Sequence, residues 1–429
     1  MSTVELQIAE RARKFKVDAL HSLYPFIDAQ MLQKSYEKLN KRSASGIDGK
    51  RWQQYGEEFP DRRKHLLEEF KSGRYRAPAL RRVYIPKGKQ GHRPIDIATI
   101  EDKVLQASVR RVIEPIYEED FKDFSYGFRP GRSQHQAIEF MFQQVSFQGM
   151  HHIIDADIKN YFGSINHGIL REFLDRRVRD GVIRRTIDKW LKAGVMESGN
   201  IEYPEQGTKQ GAVISPLLSN IYLHYVLDEW FSEQIQPLLR GRSFIVRWAD
   251  DFILGFSDKT DAERVMKVLP KRFAKYELTL HPDKTRLIDL NNQRGRSGRS
   301  FDFLGFTHYL GKSQKGYKVL KRKTSSKSMT KAVVKLNEFI KKNRHMNLQE
   351  LISAINVKLR GHYSYYGYTF NFNGIFQFYR TCQRILFKWL NRRGGDPKWK
   401  WDRFSLLIYS WNPLLKPFIQ HSYESLQRN

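Results

Sequence analysis

Two aspartates stand side by side between apolar arms, in Phe244-Ile245-Val246-Arg247-Trp248-Ala249-Asp250-Asp251-Phe252-Ile253-Leu254-Gly255-Phe256. Each arm carries the aromatic and branched residues of a short strand, and the break between them is the length of a tight hairpin turn. Adjacent carboxylates at a turn tip repel, and the repulsion either raises one pKa or is cancelled by a cation. Aspartate is also an ordinary turn residue, so the pair alone is equally a solvated tip. A second acidic segment, His152-Ile153-Ile154-Asp155-Ala156-Asp157, again runs from an apolar strand into Asp. Two strands that each deliver a carboxylate to one end of a sheet can hold two magnesium ions. Such ions lower the pKa of an attacking hydroxyl and clamp a transferring phosphoryl group. That is the chemistry of a polymerase or a nuclease.

Three further clusters fit phosphate or nucleotide chemistry, each with a plainer reading beside it. The segment Arg82–Pro94 reads as a hairpin within 81–97, with Lys87 and Arg93 on either side of a glycine-containing tip. Both cations can converge on one triphosphate, Lys as a point charge and Arg through its planar fork, although basic hairpin tips are common on basic proteins. In Gln206–Leu223, Ser215 reads as an N-cap with Pro216 at the first helical position. Gly211, beside Gln210, leaves room for a nucleotide or template strand to approach the backbone. Phe162 lies five residues after Asp157. It is either core or a ring that blocks a sugar 2′-hydroxyl, the group that separates RNA from DNA precursors.

The elements that must position these residues belong to a chain of 429 residues, long enough for two or three domains with a large buried core. Strands and helices mix without regular βαβ alternation, which argues an α+β fold. A net charge of +29 favours a polyanion held through counterion release, and nucleic acid is the expected partner. No apolar stretch approaches the roughly 20 residues of a membrane span and no signal peptide is evident. We therefore expect a soluble, cytoplasmic protein with no membrane partner. A single cysteine, Cys382, excludes internal disulfides and zinc sites built on paired cysteines, and reads as a small buried side chain. Residues 311–429 hold 24 Lys and Arg against five Asp and Glu, which is +19 of the total. The clearest basic run is Lys318–Lys327, with Lys321, Arg322 and Lys323 at its centre. Helix-like segments follow near 329–344 and 347–360.

Taken in order, Asp157 to Phe162, Gln210-Gly211 with Ser215-Pro216-Leu217-Leu218, and Ala249-Asp250-Asp251 resemble reverse transcriptases. Ser125-Tyr126-Gly127-Phe128-Arg129-Pro130-Gly131-Arg132 and the Ser-Pro-Leu-Leu form resemble the group II intron-encoded branch. Further matches are Ser45–Gly49, His281–Thr285, Phe303–Phe306 and Leu359–Gly367. The resemblance covers about residues 40 to 370. It implies a right-hand polymerase: an N-terminal extension and template loop over 1–50, fingers over 51–150, palm over 151–310, a helical basic thumb or maturase domain over 311–385, and a basic tail over 386–429.

On that resemblance, Asp157, Asp250 and Asp251 are catalytic magnesium ligands, Lys87 and Arg93 hold the triphosphate, and Phe162 is the sugar gate. Gln210 and Gly211 lie beside the nascent base pair, and Lys284 lies near the phosphates. Ser45 and Gly46 touch the template, Lys321, Arg322 and Lys323 touch RNA, and Trp248 underlies the primer end. Asp155 is a structural neighbour. The partners are an RNA template, a DNA or RNA primer, deoxynucleoside triphosphates and a structured intron or other non-coding RNA. The expected function is an RNA-directed DNA polymerase of a bacterium that also serves as a maturase. The alternatives are a maturase whose main role is RNA binding, or a domesticated enzyme of phage defence or DNA repair. Trp248 stands for a usual Tyr, Lys209 for a usual Pro, Ser219 for a usual Ala and Asp96 for a usual Gly. No cysteine-bearing endonuclease segment is present, so target cleavage is not expected.

Overall fold

The computed structural model describes residues 2–86, 91–197, 199–291, 299–394 and 399–422. It divides into two compact units, one of residues 1–141 and 152–287, the other of residues 142–151 and 288–429. Helices and strands are mixed, as an α+β protein requires. Among the described residues no helix is long and apolar enough to cross a membrane.

The first unit begins with helices α1 (Thr3–Lys14), α2 (Ala29–Lys38) and α3 (Trp52–Lys71). The hairpin β1 (Leu80–Pro86) and β2 (His92–Ile97) pairs antiparallel as expected. Strands β4 (Val195–Glu197) and β5 (Asn200–Glu202) extend it into a four-stranded sheet of order β2-β1-β4-β5. Helix α4 (Ile100–Glu118) starts where the Thr99 hydroxyl accepts from the backbone of Asp102, with acidic Glu101 and Asp102 in its first turn. It is buried along much of its length, with the polar Asp102, Lys103 and Gln106 buried beside its apolar residues. Helices α5 (Gln134–Gln148), α6 (His167–Asp175), α7 (Gly181–Lys192), α8 (Ser215–Leu223) and α9 (Lys259–Ala274) complete the helices. The apolar faces of α6, α7, α8 and α9 share one core with Ile154, Ile245 and Phe252.

The second sheet of this unit positions the acidic residues. Strands β3 (His152–Ala156), β6 (Ser243–Trp248) and β7 (Asp251–Phe256) lie side by side in the order β6-β7-β3, both pairings antiparallel. A strand from Arg286 to Asp289, β8, flanks β3. Their inner residues Ile153, Ile154, Val246, Ile253 and Leu254 are buried.

In the second unit β9 (Ser300–Phe303), β10 (Phe306–Lys312) and β11 (Lys318–Thr324) form an antiparallel meander of order β11-β10-β9. Helices α10 (Ser326–Lys342), α11 (Leu348–Tyr366), α12 (Phe372–Leu390) and α13 (Trp401–Leu406) follow. Cys382 is buried among their apolar faces.

Three local expectations change. Ser215 is not an N-cap: it is the first residue of α8 and its side chain makes no capping bond. The Gln106 side chain, more than a hundred residues away, accepts from the backbone of Val213 at 2.8 Å and of Ile214 at 3.4 Å instead. The basic run at 318–324 is a strand, and Arg322 on it is 3% exposed. Its guanidinium lies over the rings of Phe142 and Tyr368, 5.0 and 4.6 Å from their centroids, so it holds the unit's interior rather than RNA. The boundary drawn at residue 385 falls within α12, and Phe404, Leu407 and Leu414 beyond it pack into the same core as α10 and α11.

Candidate active site

The hairpin β6–β7 pairs Trp248 with Asp251, which leaves Ala249 and Asp250 as a two-residue turn. The aspartates therefore occupy different positions: Asp250 sits in the turn, and Asp251 opens the returning strand. Ala249 adopts φ 57°, a left-handed conformation that costs an alanine energy and must be held from outside.

The surroundings do this. Arg247, one residue before the hairpin's last pair, is fully buried, and its guanidinium grips the Asp228 carboxylate, also fully buried. The same guanidinium donates to the Asn220 side chain at 3.0 Å and to the carbonyl of Ala249 at 3.1 Å. Asn220 in turn donates to the carbonyl of Gly127 at 2.7 Å. Gly127 presses on the turn so closely that a Cβ there would lie 2.3 Å from the nitrogen of Ala249. The Ser125–Arg132 motif thus serves as a buttress: Phe124 and Tyr126 exchange backbone hydrogen bonds with Arg247, each of 2.9 Å. Sequence reasoning passed over Arg247 and Asp228. The signal was there, since a charge inside an apolar strand needs a buried partner.

Continuing the β3–β7 register by one residue sets Asp157 across from Asp251. The backbone of Asp157 is fixed by the segment that ends in His281, whose N–H donates to its carbonyl at 2.7 Å. The turn His281–Thr285 then brings the Lys284 ammonium onto the Asp157 carboxylate. Asp155 pairs with Arg286 at 3.2 Å, as a structural neighbour should.

Electrostatics record the crowding. Burial raises the pKa of Asp250, and the charge of Asp157 adds to the rise while Arg93 and Arg247 oppose it. Asp251 is pushed up to about 7 by burial and by Asp250, Asp157 and Asp155, against Lys284. The residue is exposed by area at the strand end, so like-charge repulsion is the cause that carries weight here. No group of three or more His, Cys, Asp or Glu among the described residues is placed to hold a metal ion as it stands. The donor set nevertheless fits magnesium: three hard carboxylates at one sheet end, two with raised pKa, and one already holding a lysine ammonium.

Phe162 is half-buried in the short turn Tyr161–Gly163 that follows Asp157, and packs partly against the core. The backbone of Thr208 donates to its carbonyl at 2.7 Å. Its ring borders a cavity of about 390 Å³ that is also lined by Asp96, Glu202, Lys209 and Gln210. A larger cavity, about 450 Å³, lies beside α7, and neither cavity is lined by Asp157, Asp250 or Asp251. Gly211 has φ 116° and faces the backbone of Asp96, where a Cβ would come within 2.9 Å of the carbonyl oxygen. Its lack of a side chain is thus required by β2, whatever else approaches it.

Arg93 is exposed on β2, and its charge reaches Asp250. Lys87 lies outside the described residues. Trp248 is half-buried beside the turn. Ser45 is half-buried with its carbonyl accepting from Arg81 at 2.7 Å. Gly46 is buried against Thr99, where a Cβ would meet the backbone at 2.6 Å. Gly46 is therefore a packing residue, and in that loop Lys41 and Arg42 are the exposed cations. Lys321 is half-buried and Lys323 exposed.

Two family models and several known proteins match the chain. The reverse transcriptase (RNA-dependent DNA polymerase) family matches residues 85–308, over half of the chain. The group II intron maturase-specific domain matches residues 318–405. Protein YkfC of Escherichia coli (strain K12) is 35% identical over 276 residues, which cover 56% of this chain and 69% of that protein. The group II intron-encoded protein LtrA of Lactococcus lactis subsp. cremoris is 39% identical over 162 residues, 38% of this chain and 27% of LtrA. A putative COX1/OXI3 intron 2 protein of Saccharomyces cerevisiae is 26% identical over 307 residues, 71% of this chain and 33% of the yeast protein. The matched part is thus a third or less of the length of the last two.

Proposed function

The chain belongs to the reverse transcriptases of the group II intron type, and from that premise we propose that the acidic sheet end formed by Asp157, Asp250 and Asp251 is where it adds deoxynucleotides. RNA-directed DNA polymerase is the activity of that family. The carrying observation is the placement of three carboxylates at the end of β3 and on the β6–β7 hairpin, two of them with pKa raised by burial and by the neighbouring carboxylates.

These three aspartates would hold the magnesium ions. Bound magnesium supplies acidity for a primer hydroxyl and charge neutralisation for the phosphates. Arg93 stands ready for the phosphates, and Lys87 is proposed to join it. Lys284 covers Asp157 until a nucleotide arrives and then moves its charge to a phosphate oxygen. Phe162, at the mouth of the cavity, blocks a 2′-hydroxyl and so selects deoxynucleotides. The template RNA and a DNA or RNA primer run past Gln210, Gly211 and Trp248. These roles support a fingers and palm layout for the first unit and a thumb role for the second. Primer extension by the Asp250→Asn protein tests the assignment: extension at the wild-type rate excludes it.

A second reading concerns the second unit, which matches the maturase-specific domain and carries most of the charge. Exposed Phe372, Phe376, Trp401 and Trp411 add stacking faces to its cations. We propose that it binds a structured intron RNA. Self-splicing of the intron beside the reading frame, with and without protein, tests this; no effect of the protein on splicing rules it out.

A further inference from the structure

Lys209 departs from the family pattern, and nothing above gives it work. It is 6% exposed, and its ammonium nitrogen is buried without a hydrogen-bond partner among the described residues. A buried cation in that state is costly, and an uncommitted donor of this kind points to a ligand that completes it. The side chain lines the 390 Å³ cavity together with Phe162, Gly163, Asp96, Glu202 and Gln210.

The lining restricts what that ligand is. Arg82 is committed to Asp96 at 2.9 Å and to Glu197 at 3.4 Å, so it offers little to a guest. Asp96 and Glu202 put negative charge on the same walls. A phosphate would meet those carboxylates, whereas a neutral hydroxyl can accept from the ammonium and lie beside them without penalty. With Phe162 excluding a 2′-hydroxyl, a deoxynucleotide has one free sugar hydroxyl left, the 3′. The charge of Asp96, the second departure in this cavity, favours the protonated form of Lys209. The two departures therefore act on one side chain: Lys209 adds the donor and Asp96 makes its charge tolerable.

We propose that Lys209 donates a hydrogen bond to the 3′-oxygen of the incoming deoxynucleoside triphosphate and so sets this enzyme's preference for 3′-hydroxyl over 3′-deoxy substrates. The proposal rests on the reading of Phe162 as the sugar gate. Burial moves the amine down to about 8, with Asp96 opposing and Arg82 adding to the shift, so it remains mostly charged at neutral pH.

The test is single-nucleotide extension on a primed RNA template by the full chain, with kcat/KM measured for thymidine triphosphate and its 2′,3′-dideoxy analogue. Lys209→Met should lower the ratio of the two about tenfold, the loss falling mainly on thymidine triphosphate; a hydrogen bond to a charged donor is of that size. Lys209→Arg should restore part of the ratio. A Lys209→Met ratio within twofold of wild type overturns the proposal, as does an equal loss for both substrates. Should Lys209→Met fail to fold by circular dichroism, Lys209→Pro carries the same prediction and the same overturning outcomes. Phe162→Ala is assayed in parallel with ribonucleotides. An unchanged Lys209→Met ratio with relaxed sugar choice in Phe162→Ala defeats only the lysine assignment; no relaxation in Phe162→Ala defeats the reading beneath it.

Discussion

At the level of single residues, protons and cations compete for the carboxylates at the end of β3 and on the β6–β7 hairpin. The Asp251 pKa of about 7 stands above its ordinary 3.8, so between those values the folded protein holds a proton that the unfolded chain has released. Stability from this group is therefore complete below about 4 and is lost as pH rises through 7. A bound cation displaces that proton. Calorimetry of magnesium binding at pH 6.5, in two buffers of different ionisation heat, should show proton release that fades by pH 8.5; heats independent of buffer would contradict the shared site. At Phe162, replacement by Ala should raise ribonucleotide use at least tenfold relative to deoxynucleotides, read from kcat/KM. The three aspartates were legible because apolar strands ending in acid are rare enough to notice. Lys209 was seen only as a departure, because its burial comes from the packing of residues far apart in sequence. Arg322 was misread for the complementary reason: a run of cations looks solvated until a strand turns every second one inward.

Among the elements, the β6–β7 hairpin is held in an unfavourable turn by the Arg247–Asp228–Asn220 cluster and by the closeness of Gly127. Arg247→Met leaves Asp228 buried without its partner, and we expect a loss of about 3–5 kcal/mol of unfolding free energy by urea titration. A loss under 1 kcal/mol would mean that the pair is not the support described. Gly127→Ala should reduce primer extension without touching any acidic group, since a Cβ must push the turn at Ala249; circular dichroism separates that effect from unfolding. The hairpins read at 81–97 and 244–256 and the helix-like segments near 329–344 and 347–360 correspond to β1–β2, β6–β7, α10 and α11. The start of α8 was visible to within one residue, but its cap was not, because the backbone donors are met by Gln106 and no local pattern reports so distant a partner. The two-residue turn also divides what the sequence presented as a matched pair, with Asp250 in the loop and Asp251 on the strand.

For the molecule as a whole, charge is unevenly placed, and the second unit carries most of the excess. Binding to intron RNA should weaken steeply with salt, falling log-linearly as counterions are released. Filter binding between 50 and 400 mM potassium chloride checks this, and a flat response would remove the electrostatic basis of the maturase reading. The order of motifs along the chain already indicated the family, and the matches over residues 85–308 and 318–405 agree with it. Sequence composition located the basic C-terminal segment, whereas the boundary that the family resemblance implied at residue 385 falls inside α12, whose apolar face is buried on both sides of it. The most direct test of the central claim is extension of a primer on an RNA template, with magnesium and deoxynucleotides, by wild type and by Asp250→Asn at matched RNA occupancy. The account predicts extension by the wild type and a loss of at least a thousandfold in the variant, with RNA affinity changed less than threefold. Extension by Asp250→Asn within tenfold of wild type would contradict it.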